Sequence, residues 1–252
     1  MRIAVAGGTG TVGVHVVDAL RSDGHEPVVL SRSRGTDLTT GSGLTAALEG
    51  VEAIVDVANV SALSAEAATR FFHAATGSLL DAAQRLGIAR LVVLSIVGIE
   101  RMPHDYYAGK LAQERLVEAG DVPWTILRAT QFHEFAAQLY DRATLGPLHV
   151  APRARVQPIA AREVGARLAQ LATGPARGRV ADLAGPREER LDQMVKAYAR
   201  RAGHRGWVPS VSLPGAQMKA MRAGLGLPGP GADRGTLSFA DWLEDSADLA
   251  LR

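Results

Sequence analysis

"RIAVAGGTGTVG", residues 2–13, decides the fold. An apolar, partly β-branched run ends at Ala6 and breaks into a cluster holding Gly7, Gly8, Gly10 and Gly13, after which the chain takes up a helical period. Glycine packs nothing and costs about 1 kcal/mol relative to alanine inside a regular element, so such a cluster requires a local reason. A sharp turn between a strand and a helix supplies it. Gly8, Gly10 and Gly13 carry the spacing G-x-G-x-x-G, and Gly7, Gly10 and Gly13 carry G-x-x-G-x-x-G. Either way Gly10 keeps the backbone open to a close neighbour and Gly13 lets the helix lie close on the sheet.

Working outward, short apolar runs at 2–6, 27–31, 52–58, 89–95 and 123–129 alternate with stretches of helical period near 11–23, 43–49, 65–86, 107–119 and 131–144. Strands that read apolar on both faces, separated by helices, predict a doubly wound α/β (Rossmann) parallel sheet with helices on both faces. The texture changes near 146. Pro147, Pro152, Pro158, Pro175 and Pro186 interrupt helices expected near 161–173, 187–202 and 214–224 and short strands near 180–184 and 207–213. "GLPGPGADRG" (226–235) reads as irregular. The expected organisation is a nucleotide-binding domain over 1–145 and a small C-terminal substrate lobe over 146–252, packed on the same domain.

Composition narrows the class. The chain has 252 residues, 47% of them hydrophobic, and no cysteine, which removes disulfides and thiolate zinc sites. No apolar run is long enough for a signal peptide or a membrane span, so a cytoplasmic protein without a membrane partner is expected. The net charge of +2 comes with arginines spread along the whole chain and no basic block, which argues against nucleic acid as the partner. A small-molecule ligand and a monomer or homodimer are the expectation.

The glycine turn, placed between its strand and helix, predicts a dinucleotide site in which Gly7, Thr9, Gly10, Thr11, Val12 and Gly13 cradle the pyrophosphate under the first helical amides. An acidic residue at the end of the second strand would select the ribose 2′-hydroxyl of NAD, but that place reads "LSRSR", residues 30–34. Arg32 between Ser31 and Ser33 is suited to a 2′-phosphate instead, which makes NADP(H) the preferred cofactor over NAD(H). Asn59 after the third strand and Thr130 after the fifth extend the cofactor-binding set.

"LVVLSIVGIERMPHDYYAGKLAQERL" (91–116) holds a second constellation. Ser95 ends a strand, and Tyr106 stands four residues before Lys110 on a helix, so the two side chains share a face. A free phenol ionises near 10, and an adjacent lysine would bring it toward a useful range for proton transfer. With only Lys110, Lys196 and Lys219 among 28 basic residues, a lysine at this place is notable. Tyr107 competes with Tyr106 for the role. Tyr107, Gln131 and His133 are candidate substrate contacts, and no spacing suits a metal.

Through "GGTGTVG", "LSRS", "YYAGKLAQE" and "VPWTILRATQFHEF" (122–135), the chain resembles the atypical short-chain dehydrogenase/reductase superfamily, in its NmrA-like NAD(P)H-binding branch. The resemblance implies a Ser95, Tyr106 and Lys110 triad and an NADP(H)-dependent oxidoreductase acting on a small carbonyl, enone or related compound. The branch also holds cofactor-sensing regulators, and the fold supports non-redox cyclases and isomerases. Both remain alternatives.

Overall fold

The computed structural model describes residues 1–61, 64–145 and 148–245. Five strands, β1 (Arg2–Ala6), β2 (Glu26–Leu30), β3 (Ala53–Asp56), β4 (Leu91–Ile96) and β5 (Trp124–Ala129), form the body of one parallel sheet in the order β2-β1-β3-β4-β5. Short segments at Leu183–Ala184 and Asp233–Arg234 continue it beyond β5, and Gly178–Arg179 also pairs with β5. The strand order reverses direction at β1/β3, so a crevice opens at the carboxyl ends of these two strands.

Alternation along β1 builds the layers. Ile3 and Val5 face one side, where they meet Val16, Val17 and Leu20 of helix α1 (Gly13–Ser22) and residues such as Val164 and Leu168, which belong to a later helix. Ala4 and Ala6 face the other, against Leu44, which opens the short helix α2 (Leu44–Ala47), and Leu79 and Leu80 of α3 (Ala65–Leu86). Ile3 to Ala6 are fully buried, and each large aliphatic side chain so placed contributes about 1.5–3 kcal/mol. Ser64 caps α3, its hydroxyl accepting from the Ala67 amide, and Gly87 ends it in the left-handed conformation.

Helix α4 (Tyr106–Glu118) pairs with α3, and its Gly109 lies so close to Ala68 that a Cβ would come within 2.6 Å of the Ala68 backbone. Helices α5 (Phe135–Arg142), α6 (Ala161–Thr173), α7 (Leu191–Arg201), α8 (Ala216–Arg222) and α9 (Phe239–Asp245) follow. Helix α6 is the element that brings Val164 and Leu168 onto the α1 side of the sheet. Met194 and Tyr198 of α7 join Met221, Phe239 and Trp242 in a separate apolar cluster.

Two expectations need correction. The helix expected over 131–144 begins only at Phe135, because the His133 amide donates to Ile159 O and the Ile159 amide to Gln131 O, which holds the chain there against Ile159. The segment 226–235 is not wholly irregular, since Asp233–Arg234 pairs in parallel with Leu183–Ala184. Pro147 and the expected boundary at 146 lie outside the described residues.

Candidate active site

The turn after β1 is built as the glycine spacing requires. Gly7 has φ +78°, and a Cβ there would meet the Ala58 backbone at 2.8 Å, so the loops after β1 and β3 touch across the switch point. At Gly13 a Cβ would come within 2.1 Å of Gly7 O, which locks helix α1 onto the turn. Gly10 differs. Its added Cβ would meet only Gly7 O, at 3.3 Å, and otherwise open space. No side chain caps the start of α1. The arrangement is an open backbone cradle at an uncapped helix N-terminus, which fits a pyrophosphate.

Gly10, Thr11 and Val12 border a cavity of about 440 Å³ that also reaches Asn59, Ser95, Tyr106, Tyr107, Lys110, Thr130 and Gln131. Gly7 and Gly13 shape the turn without bordering the cavity, and Thr9 is exposed beside it. Ser95, on the penultimate position of β4, is buried, and its hydroxyl has no hydrogen-bond partner among the described residues. A buried hydroxyl left unpaired costs about 1–3 kcal/mol, and the residue that carries it borders a ligand-sized space.

Tyr106 and Lys110 stand at the start of α4. The residue before them, Asp105, has φ +48°, a strained conformation for a non-glycine that costs on the order of 1–3 kcal/mol. The Tyr106 hydroxyl donates to Asn59 Oδ1 at 2.8 Å. Burial, with the neighbouring Tyr107 and Asp56, pushes its pKa up. The expectation that Lys110 lowers the phenol is corrected: the ammonium turns away, donating to Leu94 O at 2.6 Å and to Gln113 Oε1. Gln113 in turn donates to Asp56 Oδ2 at 2.8 Å and to Thr76 Oγ1 at 3.0 Å. Burial pulls the Lys110 ammonium down to about 8 against the opposing pull of Asp56 and Glu114, and burial raises Asp56. The lysine is thus tied into the protein interior by acceptors on β4, on its own helix and, through Gln113, on β3.

The remaining candidates divide. Tyr107, whose pKa burial also raises, accepts a hydrogen bond from Gln131 Nε2 at 3.3 Å. Thr130 donates to Gln157 O at 2.6 Å. Ser31, Arg32 and Ser33 stand at the end of β2 outside the cavity lining, with the two serine hydroxyls 3.0 Å apart and Arg32 exposed. Leu30 O accepts from the Gly7 amide, so that strand end abuts the glycine turn. His133 does not reach the cavity. It is fully buried between Phe239 and Trp242, with Nε2 3.0 Å from Leu237 O, because the chain at 131–133 is pinned to Ile159 and turns the ring into the C-terminal cluster. Phe132, Phe135, Gln138 and Arg142 line the cavity without having been singled out in the sequence, where the i, i+3, i+7 spacing from Phe135 on α5 was the available signal.

A glycine cradle at the switch point of a parallel sheet, with serine, tyrosine and lysine at the carboxyl ends beyond it, defines a Rossmann-type NAD(P)-binding protein. The model of the NAD(P)H-binding family matches residues 7–162, and the chain belongs to that family. A curated relative, the ceramide reductase of Caulobacter vibrioides, is 29% identical over 172 residues, and the match spans 62% of this chain but about half (53%) of that protein. Among solved structures, MoeE5 in complex with UDP-glucose and NAD has a TM-score of 0.73 at 18% identity, covering 97% of this chain and 98% of that one. A short-chain dehydrogenase/reductase superfamily protein from Agrobacterium tumefaciens with bound NAD has a TM-score of 0.69 at 20% identity, covering 99% and 97%. The UDP-glucose 4-epimerase of Thermus thermophilus in complex with NAD has a TM-score of 0.67 at 19% identity, covering 97% and 92%. These likenesses are of fold. No helix among the described residues is long and apolar enough to cross a membrane.

Proposed function

We propose that the chain is an NADP(H)-dependent oxidoreductase that reduces a small carbonyl, enone or related compound in the cytoplasm. The observation that carries this reading is the unpartnered Ser95 hydroxyl in the same cavity as the open Gly10 turn and the Tyr106 phenol. When bound, the cofactor supplies hydride. Ser95 donates a hydrogen bond to the substrate oxygen and orients it. Tyr106, held protonated by burial, passes its proton to that oxygen as negative charge develops there. Asn59 holds the phenol in place until then. Phe132 and Phe135 give the cavity apolar walls that suit an organic substrate and exclude water. Arg32, at a strand end that abuts the glycine turn, supports the preference for NADP(H). The relative named as a ceramide reductase supports reduction as the reaction class.

Titration with NADPH and NADH, followed by cofactor oxidation across aldehydes, ketones and enones, tests the reading. Wild type is expected to bind NADPH more tightly and to consume one cofactor per product. Gly10→Val should abolish nucleotide binding in a folded protein, since the new Cβ meets only Gly7 O, at 3.3 Å, which a small shift of the turn relieves, while the side chain fills the cradle. Product formed without net cofactor oxidation would make the protein an isomerase or cyclase, and binding without any turnover a sensor. Unchanged affinity in Gly10→Val would remove the dinucleotide site altogether.

A further inference from the structure

Two cations line the cavity, and their situations are opposite. Lys110 is buried, and its ammonium is committed to Leu94 O and Gln113. Arg142, at the last position of α5, is exposed, and its side chain makes no hydrogen bond or ion pair with any other described residue. The glycine turn contains no basic side chain between Val5 and Val14. It offers an anion only backbone amides and the start of a helix, equivalent to about half a positive charge. A pyrophosphate seated there carries more negative charge than the turn neutralises.

Helix α5 is placed to complete the site. Gln138 Nε2 donates to Thr11 Oγ1 at 3.5 Å, so the face of α5 bearing Gln138 meets the residue just after Gly10. Arg142 follows four residues later on the same face, about 6 Å further along the axis, within reach of a guanidinium on its three-carbon stem. Gln138 and Arg142 border the same cavity as Gly10, Thr11 and Val12. Building on the dinucleotide reading of this site, we propose that Arg142, steadied beside Gln138, closes over the pyrophosphate from the side opposite the glycine turn. It supplies the formal counter-charge that the turn lacks. The contact is to the part of the cofactor that NADH and NADPH share, in contrast to Arg32, which addresses the 2′-phosphate alone.

Calorimetric titration of the full chain with NADPH and with NADH, in the absence of organic substrate, tests the assignment. Arg142→Gln is expected to weaken both nucleotides by a similar factor, about tenfold or more for the loss of a charge-assisted contact, and to flatten the salt dependence of binding. Arg142→Lys should recover part of the loss. Arg32→Ala, run alongside, should weaken NADPH alone. The variant residue is exposed, and circular dichroism will verify that the fold is kept. Unchanged affinity for both nucleotides in Arg142→Gln would overturn the clamp while Gly10→Val still upholds the dinucleotide site. A higher KM for the organic substrate with nucleotide affinity intact would also overturn it and assign Arg142 to the substrate. If wild type binds neither nucleotide, the clamp falls together with the reading beneath it.

Discussion

Tyr106 and Tyr107 are adjacent residues with different hydrogen-bonding duties. The Tyr106 proton is donated to Asn59, whereas Tyr107 accepts from Gln131 and its own proton has no acceptor among the described residues. Their rings meet edge-on with centroids 6.1 Å apart, and both residues border one cavity. Tyr106→Phe should lower kcat by about a hundredfold or more with little change in nucleotide affinity, as expected for a proton donor that acts in the transition state. Tyr107→Phe should alter KM more than kcat. Steady-state kinetics of the two variants decide the matter, and the reverse pattern would transfer the proton to Tyr107. The identities of these residues were readable from Y-x-x-x-K, but the direction of the lysine was not. Spacing puts Lys110 and Tyr106 on one helix face. Where the ammonium ends is set by Leu94 O on β4 and, through Gln113, by Asp56 on β3, residues brought together only by the packed sheet.

Long periodic elements were the legible ones. Helix α3 begins and ends where its serine cap and its terminal glycine place it, and the five long strands follow their apolar runs. Of the two-residue strands after residue 143, Leu183–Ala184 and Ser210–Val211 fall inside the runs expected near 180–184 and 207–213, whereas pairs such as Arg155–Val156 against Glu189–Arg190 were not legible, since two residues carry no period and their partners are remote in sequence. The α3–α4 pair gives a prediction at this scale, because two of its glycines have opposite surroundings. At Gly109 an added Cβ would collide with the Ala68 backbone, and at Gly77 it would meet nothing within 4 Å. Gly109→Val should therefore force the helices apart, cost about 1–3 kcal/mol and displace the turn that carries Tyr106. Gly77→Ala should stabilise by about 0.5–1 kcal/mol through helix propensity. Thermal unfolding should show the first Tm falling and the second rising, each by about 2–4 °C per kcal/mol. Equal shifts of the same sign would refute the close-contact account.

Across the whole molecule, one charged network ties the α4 region to the distal sheet edge. Arg128 of β5 is buried and bonds Glu114 of α4 at 2.9 and 2.6 Å and Glu100, ahead of α4, at 2.8 and 3.3 Å. Arg179, on the short segment beside β5, reaches Glu100 and Glu114 as well. Hydrogen bonding to Arg128 first, opposed by desolvation and reinforced by the Arg128 charge and then by Arg179, holds the Glu100 carboxyl down to about 2 from an ordinary 4.5. Between those values the unfolded chain binds more protons than the folded one. The contribution of Glu100 is therefore complete above about pH 4.5 and disappears as pH falls through about 2. Its side chain is 55% exposed, so solvent screening keeps the contribution on the order of 1 kcal/mol or less. Urea unfolding of wild type and Glu100→Gln should show a stability difference at pH 7 that shrinks steadily on acidification below 4.5. Glu114→Gln should cost more at neutral pH, about 3 kcal/mol, because it leaves the buried Arg128 guanidinium without its buried carboxylate partner. A Glu100→Gln difference that stayed constant from pH 7 down to pH 2 would mean that the carboxylate charge contributes nothing. The network would then hold α4 through Glu114 and Glu118.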